Sequence, residues 1–292
     1  MHRFIKHIIL VGLPILLVAI ALELVAESIP NSYTYKCAYM EREGKNVQTL
    51  ILGSSNAYDG ISPSVLPHAF NLANSSQTIE DDYRLLAKYI KGMDSLQTVI
   101  VGLGYHSLGA VTEDHRRLYY TIYMDLYPRW PISKYSFEVF NLELLTKKII
   151  KYAVSRNVTR CDSLGQRVGH TAAAAQAQRE FWNKEAKALA SNDGFTSPIS
   201  TNIDYLIEII ELCKEHGVQV VVATMPVKRE YKDALSPEQI VLHDSVMRGL
   251  PSSAQYIDAS DWEIPIDGWY NATHLTREAS VDFTERLMDM IP

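Results

Sequence analysis

Hydrophobic positions along this chain open with one long unbroken run and then settle into two alternating rhythms. From Ile8 to Leu22 no residue is charged and most are strongly apolar, and Leu24-Val25-Ala26 carry the run past Glu23. A helix of a soluble domain shows a polar face, and this stretch has none. Its length lies near the lower limit of the roughly 17–25 residues that span a bilayer. Arg3 and Lys6 precede the run, and Glu23 and Glu27 follow it. That bias predicts a cytoplasmic N-terminus at 1–7, a transmembrane signal-anchor at 8–26 and an exported remainder. A cleaved signal peptide is the alternative, although the small-x-small pattern at Leu24-Val25-Ala26 is poor.

Residues 27–46 are polar and mixed, which predicts a juxtamembrane linker. Beyond them short apolar runs alternate with helical spacings. Val47–Leu52, Ala69–Leu72, Val99–Leu103, Val218–Ala223 and Tyr256–Asp258 read as strands, most of them closed by turn residues. Ile79, Tyr83, Leu86 and Ile90 recur at helical spacing. So do Ile203, Leu206, Ile207, Ile210 and Cys213, ahead of Gly217 as a helix stop. A last helix carries Ala279, Phe283, Leu287 and Ile291 on one face. Strands alternating with helices predict an α/β fold over 47–292, a doubly wound, five-stranded, mainly parallel sheet. Residues of about 111–200 break the rhythm and read as a helical insertion. In such a sheet the ligand cleft lies beyond the carboxyl ends of the strands. The loops after Leu52, Leu72, Leu103, Thr224 and Asp258 are therefore the ones to inspect.

Composition narrows the function classes. With 47% hydrophobic and 21% charged residues the chain is globular, and a net charge of −6 with no basic run gives no footprint for nucleic acid. The 17 tyrosines suit a sugar-lined cleft as well as an ordinary core and surface. Cys37, Cys161 and Cys213 form no metal-binding spacing. Cys213 reads as a buried thiol, and a Cys37–Cys161 disulfide is open in an oxidising compartment. No metal site is expected, and no glycine-rich phosphate loop follows the first strand, so no cofactor is expected either.

Two loops carry candidate chemistry. Leu52-Gly53-Ser54-Ser55-Asn56 ends the first strand, where a strand-to-helix turn exposes a hydroxyl beside free helix amides. Asn271-Ala272-Thr273-His274-Leu275 precedes the last helix, and a histidine that titrates near neutrality is the usual base for a serine. Thr276 is placed to cap the helix starting at Arg277, with Glu278 in its first turn. Taken alone, each loop reads as an ordinary turn before it reads as a catalytic one.

Taken together, these blocks resemble the SGNH (GDSL-like) hydrolase superfamily. The likeness is strongest to membrane-anchored bacterial members related to the D-alanyl transfer protein of lipoteichoic acid synthesis and to polysaccharide O-acetylation factors. Ile51 to Ile61 matches the first block, Phe70 to Ser76 the second and Trp269 to Phe283 the last. The resemblance implies a flavodoxin-like three-layer fold, with Ser55 as nucleophile and His274 as base. It implies an oxyanion hole from the amides of Ser55 and of Ser76 or its neighbours, including Asn74. Asn271 stands where the family has Asp, so the charge that stabilises an imidazolium is missing, and Asp267 is the nearest candidate to supply it. Asp258 and Asp261 are further candidates. The third-block Asn is not visible, which leaves Tyr105 or His106 to donate, or merely to order their loop.

The resemblance implies an extracytoplasmic esterase or O-acyltransferase acting on acylated envelope glycan or a lipid-linked substrate, with a membrane-bound O-acyltransferase as partner. The competing reading is a catalytically weakened or inactive SGNH-type protein that binds or assembles components of envelope polysaccharide modification.

Overall fold

The computed structural model describes residues 2–176, 182–192 and 199–291. It divides into two compact units, Met1–Ala38 with Glu113–Thr159, and Tyr39–Thr112 with Arg160–Pro292. The stretch of about 111–200 that interrupts the strand rhythm is thus shared between them.

In the first unit a helix spans His2–Ser28. Its Arg3–Ser28 portion, with a mean hydropathy of 2.9, is long and apolar enough to cross a membrane. Near its end Glu23 is buried, and its carboxylate accepts from the amides of Glu138 and Val139 at 3.0 and 2.9 Å. An ion pair, Lys148 to Glu138 at 2.7 Å, lies buried beside it. The stretch 27–46 contains a helix, Ser32–Glu43, of which the residues up to Ala38 belong to this unit. Asn31 starts it, because its Oδ1 accepts from the amides of Tyr33 and Thr34 at 2.9 and 3.1 Å. Helix Leu142–Ser155 completes the unit's larger elements.

The second unit is built on five parallel strands, β1 (Thr49–Gly53), β2 (Ala69–Asn71), β3 (Thr98–Leu103), β4 (Gln219–Thr224) and β5 (Ala254–Asp258), in the order β2-β1-β3-β4-β5. This is the doubly wound α/β sheet with flanking helices that the alternating pattern predicts. β1 is buried along its whole length, and β3 and β4 are buried at all but their first residue. That explains why these strands read as continuous apolar runs without a polar alternation. β1 starts two residues later than the apolar run suggests, because Val47 closes a 3-10 turn through its amide to the Gly44 carbonyl.

The direction of strand order reverses between β1 and β3, which puts the cleft at their carboxyl ends. Gly53 pairs with Gly102 there. Gly53 has φ +128°, and a Cβ on it would stand 2.3 Å from the Gly102 carbonyl oxygen, so only glycine fits. A Cβ on Gly102 would in turn meet that of Ala57 at 2.7 Å. The two glycines let the helix Ser55–Gly60 settle directly on the sheet.

Candidate active site

Ser55 is the first residue of that helix, so its amide is one of the donors with no intrahelical partner. It is the half-buried residue in a buried stretch. Beneath it, the Gly53 amide donates to Asp82 Oδ1 at 2.9 Å, and Gln77 Nε2 donates to the same oxygen at 2.6 Å. Burial pushes the Asp82 carboxyl up to about 7 against these two bonds.

The loop before the last helix brings its histidine to the serine. His274 Nε2 lies 2.8 Å from Ser55 Oγ. Asn56 Nδ2 ties the two loops together by donating to the Thr273 carbonyl at 2.7 Å. Thr276 caps helix Arg277–Met288 by accepting from the Ala279 amide.

Asn271 decides the state of the ring. Its Oδ1 accepts from the amides of Thr273 and His274 at 3.0 and 2.9 Å, and it also stands 2.9 Å from His274 Nδ1. An oxygen that already takes two backbone N–H groups cannot be exchanged with the amide nitrogen without facing donor to donor. Nδ1 therefore carries the proton, and Nε2 presents its lone pair to Ser55. The Asn271 Nδ2 donates at 3.4 Å to Glu185 Oε1. Burial pushes the His274 imidazole down to about 4; Asp59 opposes the shift, and Arg167, His170 and His106 add to it. At neutral pH the ring is uncharged and able to take a proton.

The carboxylate near the ring is not Asp267. Asp267 sits exposed on the 3-10 turn Ile266–Gly268, with no contact to His274 among the described residues. Asp261 pairs with Lys232 at 2.6 Å, and Asp258 accepts from the Ser260 amide at 3.0 Å. Asp59 stands there instead, with its Oδ2 3.8 Å from His274 Nε2. One helical turn after Ser55, it is fully enclosed, with Arg167 Nε at 2.9 Å and His170 Nδ1 at 3.2 Å from its Oδ1. His170 stacks flat on Tyr270 with ring centroids 3.6 Å apart, and Arg167 also bonds the Ser75 hydroxyl. Periodicity gives no signal for Arg167 and His170, which lie more than a hundred residues from Ser55. Asp59 could have been found, because i and i+4 share a helix face.

The second-block loop lies beside this group. The Asn74 amide donates to the Gly53 carbonyl at 3.2 Å, and its Nδ2 is buried with no hydrogen-bond partner among the described residues. Ser76, where the resemblance expects glycine, adopts φ +53°, the left-handed conformation that glycine favours. His106 Nε2 approaches Ser54 Oγ at 3.4 Å, next to the nucleophile position. Tyr105 does not stand free to donate there. It is buried in a core cluster and its hydroxyl donates to Ser260 Oγ at 3.2 Å. Cys213 is buried and its thiol is pushed up to about 12 by burial, while among the described residues no disulfide joins Cys37 to Cys161.

No family model matches this chain, and no curated protein matches it. Among solved structures it is similar to a Streptococcus pneumonia protein provisionally described as a platelet activating factor, with TM-score 0.43 and 7% identity over 97% of this chain and 99% of that one. It is also similar to a Bacteroides fragilis protein provisionally described as an acylhydrolase, with TM-score 0.41 and 9% identity over 87% and 95%. Likenesses of this degree decide nothing about chemistry, which rests on the site itself.

Proposed function

We propose that the chain is a serine esterase or O-acyltransferase of the SGNH type, with Ser55 as nucleophile and His274 as base. The observation that carries this reading is the 2.8 Å approach of His274 Nε2 to Ser55 Oγ with Asn271 Oδ1 on the other ring nitrogen. Ser55 Oγ attacks the ester carbonyl carbon, and its proton passes to His274 Nε2. The carbonyl oxygen takes the negative charge near the Ser55 amide and the second-block loop. Collapse expels the alcohol, which receives the proton back from His274. Water or a glycan hydroxyl then takes the acyl group by the same steps reversed.

Asn271 fits this role better than its identity suggests. In a Ser-His-Asp triad an Asp-to-Asn change that imposes the wrong tautomer costs about 10⁴-fold in kcat. Here the Oδ1 faces the ring, so the tautomer is the productive one and only the charge is missing. Asp59 supplies a carboxylate close to the imidazolium as it forms, which supports activity over the reading as an inactive binding protein.

The substrate is an acylated envelope glycan or a lipid-linked precursor. The helix His2–Ser28 acts as an uncleaved single-pass anchor that holds the rest outside the cytoplasm, and a membrane-bound O-acyltransferase is the partner. A cavity of about 950 Å³ lined by Lys228, Trp262 and Trp269, and by neither Ser55 nor His274, lies on the neighbouring loops. The Lys228 amide bonds the Ala272 carbonyl at 2.8 Å, so the cavity adjoins the loop of Asn271 and His274. Full-length protein in detergent is expected to release acetate from p-nitrophenyl acetate and to be labelled at Ser55 by a fluorophosphonate. An unlabelled Ser55 together with unchanged hydrolysis by Ser55→Ala would overturn the assignment.

A further inference from the structure

We propose that the segment 129–155 of the first unit lies on the bilayer from which the N-terminal helix emerges, seating Trp130 and one flank of helix Leu142–Ser155 at the headgroup boundary. The inference rests on the reading of that helix as a membrane anchor. The Arg3–Ser28 stretch has 26 residues. At about 1.5 Å per residue it is roughly 39 Å long, against a hydrocarbon core of about 30 Å. Its last turns therefore stand in the interface, and those turns are where the segment grips it. Glu23 accepts the Glu138 and Val139 amides, Lys148 Nζ donates to the Ala26 carbonyl at 2.6 Å, and Arg129 pairs with Glu27 at 3.0 Å. The same polypeptide is thus held at the depth where headgroups begin.

Its surface suits that depth. Trp130, Ile132, Phe140, Leu142, Ile150 and Val154 are 74, 58, 52, 63, 58 and 82% exposed. Helix Leu142–Ser155 already has an inward face, on which Leu145 and Lys148 are buried. Leu142, Ile150 and Val154 fall together on a different arc, with Thr146 and Ala153 between them and one charged residue, exposed Glu143, at its first turn. Lys147 and Lys151 edge that arc and are exposed; Lys147 pairs with Glu143, and Lys151 extends the basic border beyond that pair. An apolar flank bordered by lysines, with a tryptophan nearby, is the composition of a helix lying in the interface plane of anionic lipid. The Asn141 side chain bonds the Lys134 carbonyl at 2.8 Å, tying the Trp130 loop to the start of this helix.

Full-length protein is reconstituted into vesicles of phosphatidylethanolamine and phosphatidylglycerol whose acyl chains carry bromine both near the headgroup, for positions 130 and 154, and near the chain end, for position 16. Emission of Trp130 is taken as the difference between the parent and Trp130→Phe. Val154→Trp and, as the anchor control, Leu16→Trp are read in the Trp130→Phe background. The expected result is loss of most of the emission at positions 130 and 154 as well as at 16. Quenching at 16 alone, with 130 and 154 open to aqueous acrylamide, would overturn the inference and leave the anchor standing. Protection of 130 and 154 from both quenchers would assign the flank to a protein partner and overturn it too. No quenching at 16 would overturn the anchor itself, and the inference with it.

Discussion

Each compact unit buries a cluster of acidic and basic side chains, and the two are built differently. Around Lys148 in the first unit, the ammonium reaches the Ala26 carbonyl, Glu138 Oε1 and the Tyr123 hydroxyl, all in hydrogen-bond geometry. Around Asp59 in the second unit, Arg167 Nε and His170 Nδ1 stand at ion-pair distance, yet among the described residues neither they nor the Asp59 oxygens are in hydrogen-bond geometry. The Lys148 ammonium is saturated and fixes a shape, although Glu138 Oε2 beside it is buried without a hydrogen-bond partner among the described residues. A buried carboxylate held by charge alone retains lone pairs and field strength to offer a neighbour, and that neighbour is His274 at 3.8 Å. Unmade bonds of this kind concentrate at functional sites. What separates the two is the saturated ammonium in the first, which bears on stability, and the neighbouring imidazole in the second, which bears on chemistry.

The sharpest division of the two is expected from Ser55→Ala, which should reduce ester hydrolysis by about 10⁴-fold or more while thermal melting stays unchanged. The mirror experiment is Lys148→Met. It leaves Glu138 buried without its partner and should cost about 3–5 kcal/mol in denaturant unfolding, with the fluorophosphonate reactivity of the folded fraction preserved. Equal effects of the two substitutions on reactivity would erase the contrast.

Asp59→Asn comes next and tests the chemical cluster directly. It should lower kcat about 10–100-fold with little change in KM, because the carboxylate acts on the imidazolium that forms during reaction. The pH profile carries a second signature. A neutral His274, with its pKa near 4 and not 6.5, predicts that kcat/KM stays flat as pH falls through 6 and drops only toward 4. Removing Asp59 takes away the group that opposes this shift, so the acid limb should move further down.

Asp82 probes the floor of the site. Its folded pKa is raised to about 7 from 3.8, so the folded state holds the proton longer than the unfolded chain. Its contribution to stability is full below 3.8 and lost as pH rises through 7. Asp82→Asn should therefore gain about 2 kcal/mol at pH 8 relative to its effect at pH 5, read by urea unfolding at both values. The smallest effect is expected from Ser76→Gly. Relief at φ +53° is set against the greater freedom of glycine when unfolded, leaving a change within about 1 kcal/mol.

By itself the sequence determined the strands, the caps and the places where chemistry could stand. Buried parallel strands must be apolar throughout, so β1, β3 and β4 announce themselves. Gly53, Ser55 and Thr276 follow from what a strand-to-helix turn and a helix start require of a backbone. The apolar helix was legible for the same reason, because its pattern depends only on neighbours along the chain. The tertiary structure decided what surrounds the imidazole. Whether Asn271 presents oxygen or nitrogen to the ring depends on two amides in its own folded loop. Which carboxylate stands near depends on segment 160–170 packing against the Ser55 helix, where the Gln166 side chain bonds the Asp59 carbonyl at 3.1 Å and the Arg167 amide bonds the Tyr58 carbonyl at 3.2 Å. Charge acts through space, across more than a hundred residues of chain, and no local pattern records it.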